Sequence, residues 1–324
     1  MSLSRPNAVL TVGGQDYSAA EAALVRLRLY LGLSGSHDAA ELTLWPSTKL
    51  KDAAAGDTLE ISLGETDGEE AVFTGEVTEV LAGADAVVLE GLAATVALSR
   101  SRKSQSYLSQ SVADIVKDLA SDIDVDEVQG DLQLDAYAVD DRRSLWSHVL
   151  DLAALTGADV GCSAEGGLRF SPFQGGSADV SLRYGADVLS WHAGPRAAPA
   201  VPTVIASGAA SDAGAEKWHW LTRDPASGST SARVVAAFRT RDAADQLNQA
   251  LADRAGRAAL RGQVTLVGRT DVRPGARVEI QDLPTGDLGT LRVLAVEHVL
   301  DARAGFTTAL TVESAGGGGG GGLP

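Results

Sequence analysis

The sequence predicts a mainly β (α+β) protein in which two strand-rich zones flank a small α/β module. Three observations carry this. Apolar and polar residues alternate over much of the first and last parts of the chain. In the middle the spacing changes twice to that of an amphipathic helix. A Gly-x-x-x-Glu-Ile strand occurs in both outer zones, as Gly56-Asp-Thr-Leu-Glu-Ile61 and Gly275-Ala-Arg-Val-Glu-Ile280, each followed by more β-rich sequence. The outer zones thus read as versions of one barrel. The expected divisions are 1–98, 99–173 and 174–314, with a glycine-rich tail at 315–324.

In the first zone, Glu41-Leu-Thr-Leu-Trp45 alternates, and Asp57-Thr-Leu-Glu-Ile-Ser-Leu63 places Leu59, Ile61 and Leu63 on one face. Residues 72–80 and 87–90 form a predicted hairpin about a turn at Gly83-Ala-Asp85. Residues 18–31 are rich in Ala and Leu, which favours helix. Leu27, Leu29 and Leu31 nevertheless alternate with Arg26, Arg28 and Tyr30, so the second half of that segment is expected as a strand.

In the middle, Ser111 precedes a helix with Val112, Ile115, Val116 and Leu119 on one face, and its hydroxyl can accept a free first-turn N–H. A second helix over 143–155 aligns Leu145, Val149, Leu152 and Leu155 and stops at Gly157, which suits a left-handed terminating position. A short hairpin follows, from 158–162 to 168–170, about Glu165-Gly-Gly167.

Strands return from about Val180. A Pro- and Ala-rich stretch at 194–202 precedes one long helix, expected over 241–260 in the second barrel zone with Thr240 as its cap. Gly256 costs that helix about 1 kcal/mol relative to alanine and is a candidate bend. Closing strands are expected at 277–280, 291–299 and 306–312. Seven consecutive glycines, Gly316 to Gly322, then Leu323 and Pro324, offer nothing to a packed core.

The 324 residues suit two or three domains, and 44% apolar content allows a sizeable core. No stretch approaches the ~18–20 apolar residues of a spanning helix. The start, Met1-Ser-Leu-Ser-Arg-Pro6, has no apolar run behind it. Neither membrane insertion nor a secretory leader is expected. Cys162 is the single cysteine, so no intramolecular disulfide can form and a cytosolic place of folding is inferred. The 43 acidic residues outnumber 27 basic ones, for a formal net charge of −16. Gripping a nucleic-acid backbone needs the reverse. Two readings stand: charge for solubility, or a surface past which nucleic acid slides without sticking.

No catalytic, cofactor or metal constellation emerges from the spacing. Asp122, Asp124 and Asp126 alternate, but Glu127 and Gln133 stand where a calcium loop needs glycine and glutamate, which leaves an acidic turn. Cys162 with His148 as base is a candidate nucleophile, yet a lone Cys in an apolar strand fits a small buried hydrophobe. His37, His148, His192, His219 and His298 show no ligand spacing. Trp218 and Trp220, beside Lys217 and Arg223, fit one face of a half-buried strand at a subunit contact, or a stacking platform for a sugar or base.

Several stretches resemble one family. Phe73-Thr-Gly-Glu-Val77 is similar to its first-barrel strand motif. Ser111-Val-Ala-Asp-Ile-Val-Lys-Asp-Leu-Ala120 is similar to its first middle-domain helix. Ser144-Leu-Trp-Ser-His-Val-Leu-Asp-Leu-Ala153, Thr156-Gly157 and Gly167-Leu-Arg-Phe-Ser-Pro172 resemble its helix-then-hairpin segment. Val272-Arg-Pro-Gly-Ala-Arg-Val278, Val296-Glu-His-Val-Leu-Asp301 and Gly305-Phe-Thr-Thr308 resemble its closing strands. The family is that of baseplate hub proteins of contractile tails, including late control protein D of phages and the N-terminal part of type VI spike proteins.

The resemblance implies two tube-like β-barrels and a structural role without catalysis. It implies a homotrimer whose six barrels match a six-fold tail tube on one side and a three-fold spike on the other. Expected partners are the tail tube or its initiator, baseplate wedge proteins and a separate spike polypeptide, since only the glycine tail follows where spike-fused members continue. DNA or protein cargo would pass through the lumen without specific binding. Assembly in the bacterial cytoplasm, as a component of a virion tail or injection particle, is implied too. Gly316, Gly322, Leu323 and Pro324 would belong to a spike-contact tail, or the tail is a remnant; Trp218 and Trp220 are candidate interface aromatics. Rival readings are a carbohydrate- or receptor-binding baseplate module, which the tryptophans would serve, and a tail-tip cell-wall hydrolase, which needs a carboxylate pair or metal cluster.

Overall fold

The computed structural model describes residues 6–33, 35–65, 68–197, 201, 203–206, 232–235, 241–284 and 286–316. The first zone holds β1 (Pro6–Val12), β2 (Gln15–Ser18), β3 (Leu24–Gly32), β4 (Ala39–Leu44), β5 (Thr58–Glu65), β6 (Gly68–Ala82) and β7 (Val87–Ala93). The middle holds α1 (Val96–Arg100), β8 (Gln105–Ser111), α2 (Val112–Leu119), β9 (Val125–Val128), β10 (Gln133–Val139), α3 (Leu145–Thr156), β11 (Ala158–Cys162) and β12 (Leu168–Pro172). The third zone holds β13 (Val180–Arg183), β14 (Val188–Pro195), β15 (Thr203–Ala206), β16 (Ala232–Val235), α4 (Arg241–Arg257), β17 (Leu260–Val267), β18 (Arg277–Gln281), β19 (Leu291–Asp301) and β20 (Gly305–Ser314).

Local rules account for these elements. In β3, Leu27, Leu29 and Leu31 are buried and Arg26, Arg28 and Tyr30 exposed, so alternation prevails over helix propensity. The Ser111 hydroxyl accepts the Asp114 N–H at 3.1 Å, and all four apolar residues of the expected α2 face are buried. Gly157 ends α3 at φ 70°, in the left-handed region. The long helix is shorter than expected: α4 stops at Arg257, just past Gly256, and Leu260 already belongs to β17. Thr240, its expected cap, lies outside the described residues, as do Trp218, Trp220, Gly322, Leu323 and Pro324.

Thirteen strands from both outer zones form one sheet, running β14-β17-β20-β19-β3-β4-β7-β6-β5-β1-β2, with β18 on β19 and β13 on β18. The zones join where β3 pairs antiparallel with β19, from Arg26↔Asp301 to Gly32↔Ala295. One apolar core lies behind the sheet and draws on both zones. A second core belongs to the middle module and takes in Ala243, Ala244 and Leu247 of α4. The helix expected in the second barrel zone therefore packs on the middle module. The contact is close: a Cβ on Gly157 would lie 2.5 Å from that of Ala250.

The two zones repeat each other well beyond the short motif. The order β5-β6-β7-β4-β3 is matched by β18-β19-β20-β17-β14. Gly56 (φ 95°) and Gly275 (φ 90°) each turn the chain into the following strand. The Gly56 N–H donates to Val77 O and the Val77 N–H to Asp57 O, both at 2.8 Å. The Gly275 N–H donates to Val293 O at 2.8 Å and the Val293 N–H to Ala276 O at 2.9 Å. Bulges coincide as well. The β6–β7 register shifts between Val77 and Glu79, and β19–β20 between Val293 and Ala295. The β3–β4 register shifts between Leu24 and Arg26, and β14–β17 between Val188 and Ser190. Two features depart from the repeat. Strand β13 runs parallel to β18, whereas β1 runs antiparallel to β5. The β3–β4 connection spans 33–38, but its counterpart spans 196–259 and carries β15, β16 and α4.

Candidate functional site

The long sheet turns one side to the core and the other to solvent, and the open side is shared by both zones. Its register sets side chains in rows. Arg28 faces Glu41 across β3–β4, Glu41 faces Glu90 across β4–β7, and Glu90 faces Glu79 across β6–β7. On the other side of Arg28 the row continues through Val299, Thr307 and Val267. Directly opposed side chains have Cβ atoms about 4.5–5.5 Å apart, so Glu41, Glu90 and Glu79 repel in sequence. Among the described residues none of the three forms an ion pair, while the Arg28 Nε donates to Glu297 at 2.6 Å. Beside the row, a 590 Å³ cleft is lined by Tyr30, His37, Ala39, Glu41 and Glu90. The His37 ring is held by Thr95 at 2.9 Å and Ser99 at 2.6 Å, and burial lowers its pKa.

On the same side of the sheet as the open row, but at its end, the middle module is bolted to the third zone. Arg292 of β19 is 2% exposed; its Nη1 donates to Glu313 of β20 at 2.9 Å and its Nη2 to Asp159 of β11. Arg257, at the end of α4, approaches the same Glu313 oxygen at 3.5 Å. Both guanidiniums lie over the Phe173 ring, at 4.3 Å for Arg292 and 5.3 Å for Arg257. Burial and the neighbouring Arg292 lower the Arg257 pKa, and Glu313 opposes them. Two cations and two carboxylates balance, which is the condition for tolerating such groups out of water. Gly316 packs beside the stem of Arg257, so the tail starts from this seam.

The first zone meets the middle module and the 272–276 turn around a 190 Å³ cavity lined by Asp38, Asp126, Cys162, Glu165, Arg169 and Arg273. Asp38 is buried, accepts the Gly32 N–H at 2.8 Å, and has its carboxyl pushed up to about 7 by desolvation. Arg273 donates to the carbonyls of Ala71 and Val72 across the seam. Burial, with the Asp38 charge nearby, pushes the Cys162 thiol up to about 12. That is the opposite of an activated nucleophile. The His148 ring lies 3.4 Å from the Tyr137 hydroxyl and 3.2 Å from the Asp140 carbonyl. Asp126 falls in β9 and approaches Arg169 at 3.9 Å. Among the described residues no three His, Cys, Asp or Glu side chains gather as metal ligands.

The ionic seam and Asp38 were not singled out by sequence reasoning. Arg292 sits in an apolar strand just before a bulge that reverses its facing, and a bulge has no local signature there. The carboxylate row was within reach, since Glu41, Glu79 and Glu90 fall on polar positions of predicted strands; their opposition depends on register.

No family profile and no curated protein matches the chain. Solved structures do. A tail protein from Neisseria meningitidis superposes with a TM-score of 0.72 at 15% identity, covering 96% of each chain. The 43 kDa tail protein of prophage MuSo2 from Shewanella oneidensis gives 0.70 at 15% identity, covering 95% of this chain and 98% of that one. An E. coli component of the type VI secretion system, described as similar to T4 bacteriophage tail proteins, gives 0.61 at 12% identity, covering 93% and 77%. The chain has the fold of these tail proteins, and the resemblance read from its sequence holds at that level.

Proposed function

We propose that the chain is a structural baseplate hub: a homotrimer that adapts a six-fold tail tube to a three-fold spike and lines part of the ejection channel. The observation that carries this is the internal repeat. Two zones with the same strand order, bulges and glycine clasp place two equivalent walls on every copy, so three copies present six. The division into tube-like barrels at 1–98 and 174–314, around a module at 99–173, follows the repeat, with α4 reassigned to the module's core. The open face is the channel wall in this reading. Its carboxylate row repels DNA or acidic cargo, while Arg26, Arg28 and Arg261 share that side of the sheet.

The tube or its initiator, wedge proteins and a separate spike are the partners. The tail from Gly316 to Pro324 contacts the spike, and Trp218 and Trp220 lie at a subunit contact. Assembly takes place in the bacterial cytoplasm, ahead of incorporation into a virion tail or injection particle. Light scattering on the chain alone and with its spike tests the reading. A trimer in at least one state is expected; a stable monomer in both overturns it. Removal of residues 317–324 tests the tail: loss of spike co-purification with unchanged hub folding is expected, and full retention through a salt wash makes it a remnant.

A further inference from the structure

The repeat leaves one joint unmatched. Within the chain, the outer edge of β3 is taken by the second half of β19, beyond the segment that β18 occupies. The counterpart of β3 is β14, and the counterpart of β19 is β6. Among the described residues, β14 from Ser190 onward pairs only with β17, an isolated bridge from Tyr184 to Val188 touching its first residue, so the outer edge of 190–195 is free. Strand β5 covers β6 as far as Glu76, so among the described residues 79–82 pair with β7 on one side and with no strand on the other. Each copy therefore carries two unpaired strand edges that stand to each other as β3 stands to β19.

We propose that β14 of one copy pairs antiparallel with residues 79–82 of the next, head to tail, repeating the β3–β19 joint between chains. The bulges fix the register. Ala295 corresponds to Glu79, since each is the first residue past its bulge. Arg28 faces Glu41 and Glu41 faces Glu90; His192 faces Gln263 and Gln263 faces Thr311. Glu90 and Thr311 face Glu79 and Ala295, so His192 corresponds to Arg28. Carrying Gly32↔Ala295 and Tyr30↔Glu297 through these equivalences sets Arg196 opposite Glu79 and Gly194 opposite Leu81.

Charge and shape agree with that register, although nothing in its derivation used them. Arg196 meets Glu79, an unpaired member of the carboxylate row. Leu81, 50% exposed, meets Gly194, where an added Cβ would touch nothing within 4 Å. The Arg196 N–H donates to Ala259 O at 2.6 Å, which continues the β14–β17 ladder to that point. Pro195, next to it, therefore faces the free edge without an N–H. The joint has one hydrogen bond fewer than its internal counterpart, and a lone copy is guarded against open-ended pairing. A heterologous contact of this kind closes into a ring when the rotation allows.

This joint rests on the trimer reading but can fail separately. In a Cys162→Ser background, Leu81→Cys with Gly194→Cys should oxidise to covalently linked trimers. Mixing the two single-cysteine chains should give linked dimers and nothing larger. Glu79→Arg should weaken the trimer at least about tenfold, and adding Arg196→Glu should restore it. A trimer that forms no cross-link and ignores both charge reversals overturns the joint and leaves the trimer standing. A chain that stays monomeric with and without its spike removes both.

Discussion

The two halves of the long sheet share a backbone plan and differ in what they show to solvent. Facing the core, equivalent positions stay apolar: Leu42 and Val264, Leu44 and Leu266, Leu59 and Val278, Ile61 and Ile280, Val77 and Val293, Leu89 and Leu310 are all buried. On the open side, equivalence in position brings no equivalence in chemistry. Arg28, Glu41, Glu90 and Glu79 are replaced by His192, Gln263, Thr311 and Ala295. Burial holds the first set, because a polar substitution there strands an unsatisfied group. Nothing in folding constrains the second. The open side is therefore free to be charged in one half and neutral in the other.

The sharpest test of the comparison is at a pair of equivalent positions with opposite burial. Arg292 is sealed among Glu313, Asp159 and Phe173, whereas its counterpart Glu76 pairs with Arg100 at the surface. Arg292→Ala should cost about 3–5 kcal/mol, since it leaves Arg257 alone to balance Glu313 and Asp159. Glu76→Ala should cost about 0–1 kcal/mol. Urea denaturation of both variants measures this, and equal losses would mean that the halves do not differ as described.

A second asymmetry is in proton binding. Asp38 stands just before β4, where the second half has Leu260. Its carboxyl titrates at about 7 in the folded chain and near 4 when unfolded. Protonation thus favours the folded state. The contribution is complete below about pH 4 and is lost as pH rises through about 7, with a size of up to about 4 kcal/mol. Asp38→Asn should flatten the fall in stability between about pH 4 and about pH 7. An unchanged slope would place the titration elsewhere.

The 196–259 connection that interrupts the repeat is tested at Gly157. Gly157→Ala combines a left-handed backbone with a clash against Ala250 of α4, and should cost about 2 kcal/mol. Gly256→Ala, with open space around it, should gain up to about 1 kcal/mol. Thermal melts of the pair distinguish a helix docked on the middle module from one that merely follows it in sequence. The smallest effect is expected at Cys162, a half-buried side chain with an inert thiol. Cys162→Ser should lose less than about 1 kcal/mol and assemble normally by light scattering. Abolished assembly with intact folding would reopen a role for the thiol.

Much of this was present in the sequence, because period and punctuation are local. Alternation at Leu27, Leu29 and Leu31 gave β3. Ser111 and Gly157 marked helix ends by the hydrogen bond and the dihedral each residue permits. Two Gly-x-x-x-Glu-Ile strands announced the repeat, since a positive φ and a buried Ile must recur wherever the same turn feeds the same sheet. Strands β8, β9 and β10 left little pattern, being short and half exposed. What the tertiary structure alone decided depends on register between distant segments. It welded the two zones through β3 and β19, seated α4 on the middle module, closed Arg292 into an ionic seam, opposed three glutamates across a sheet, and left β14 and the end of β6 with free edges. No residue carries these in its own neighbourhood, because a one-residue slip in pairing would exchange core and solvent faces without altering any local preference.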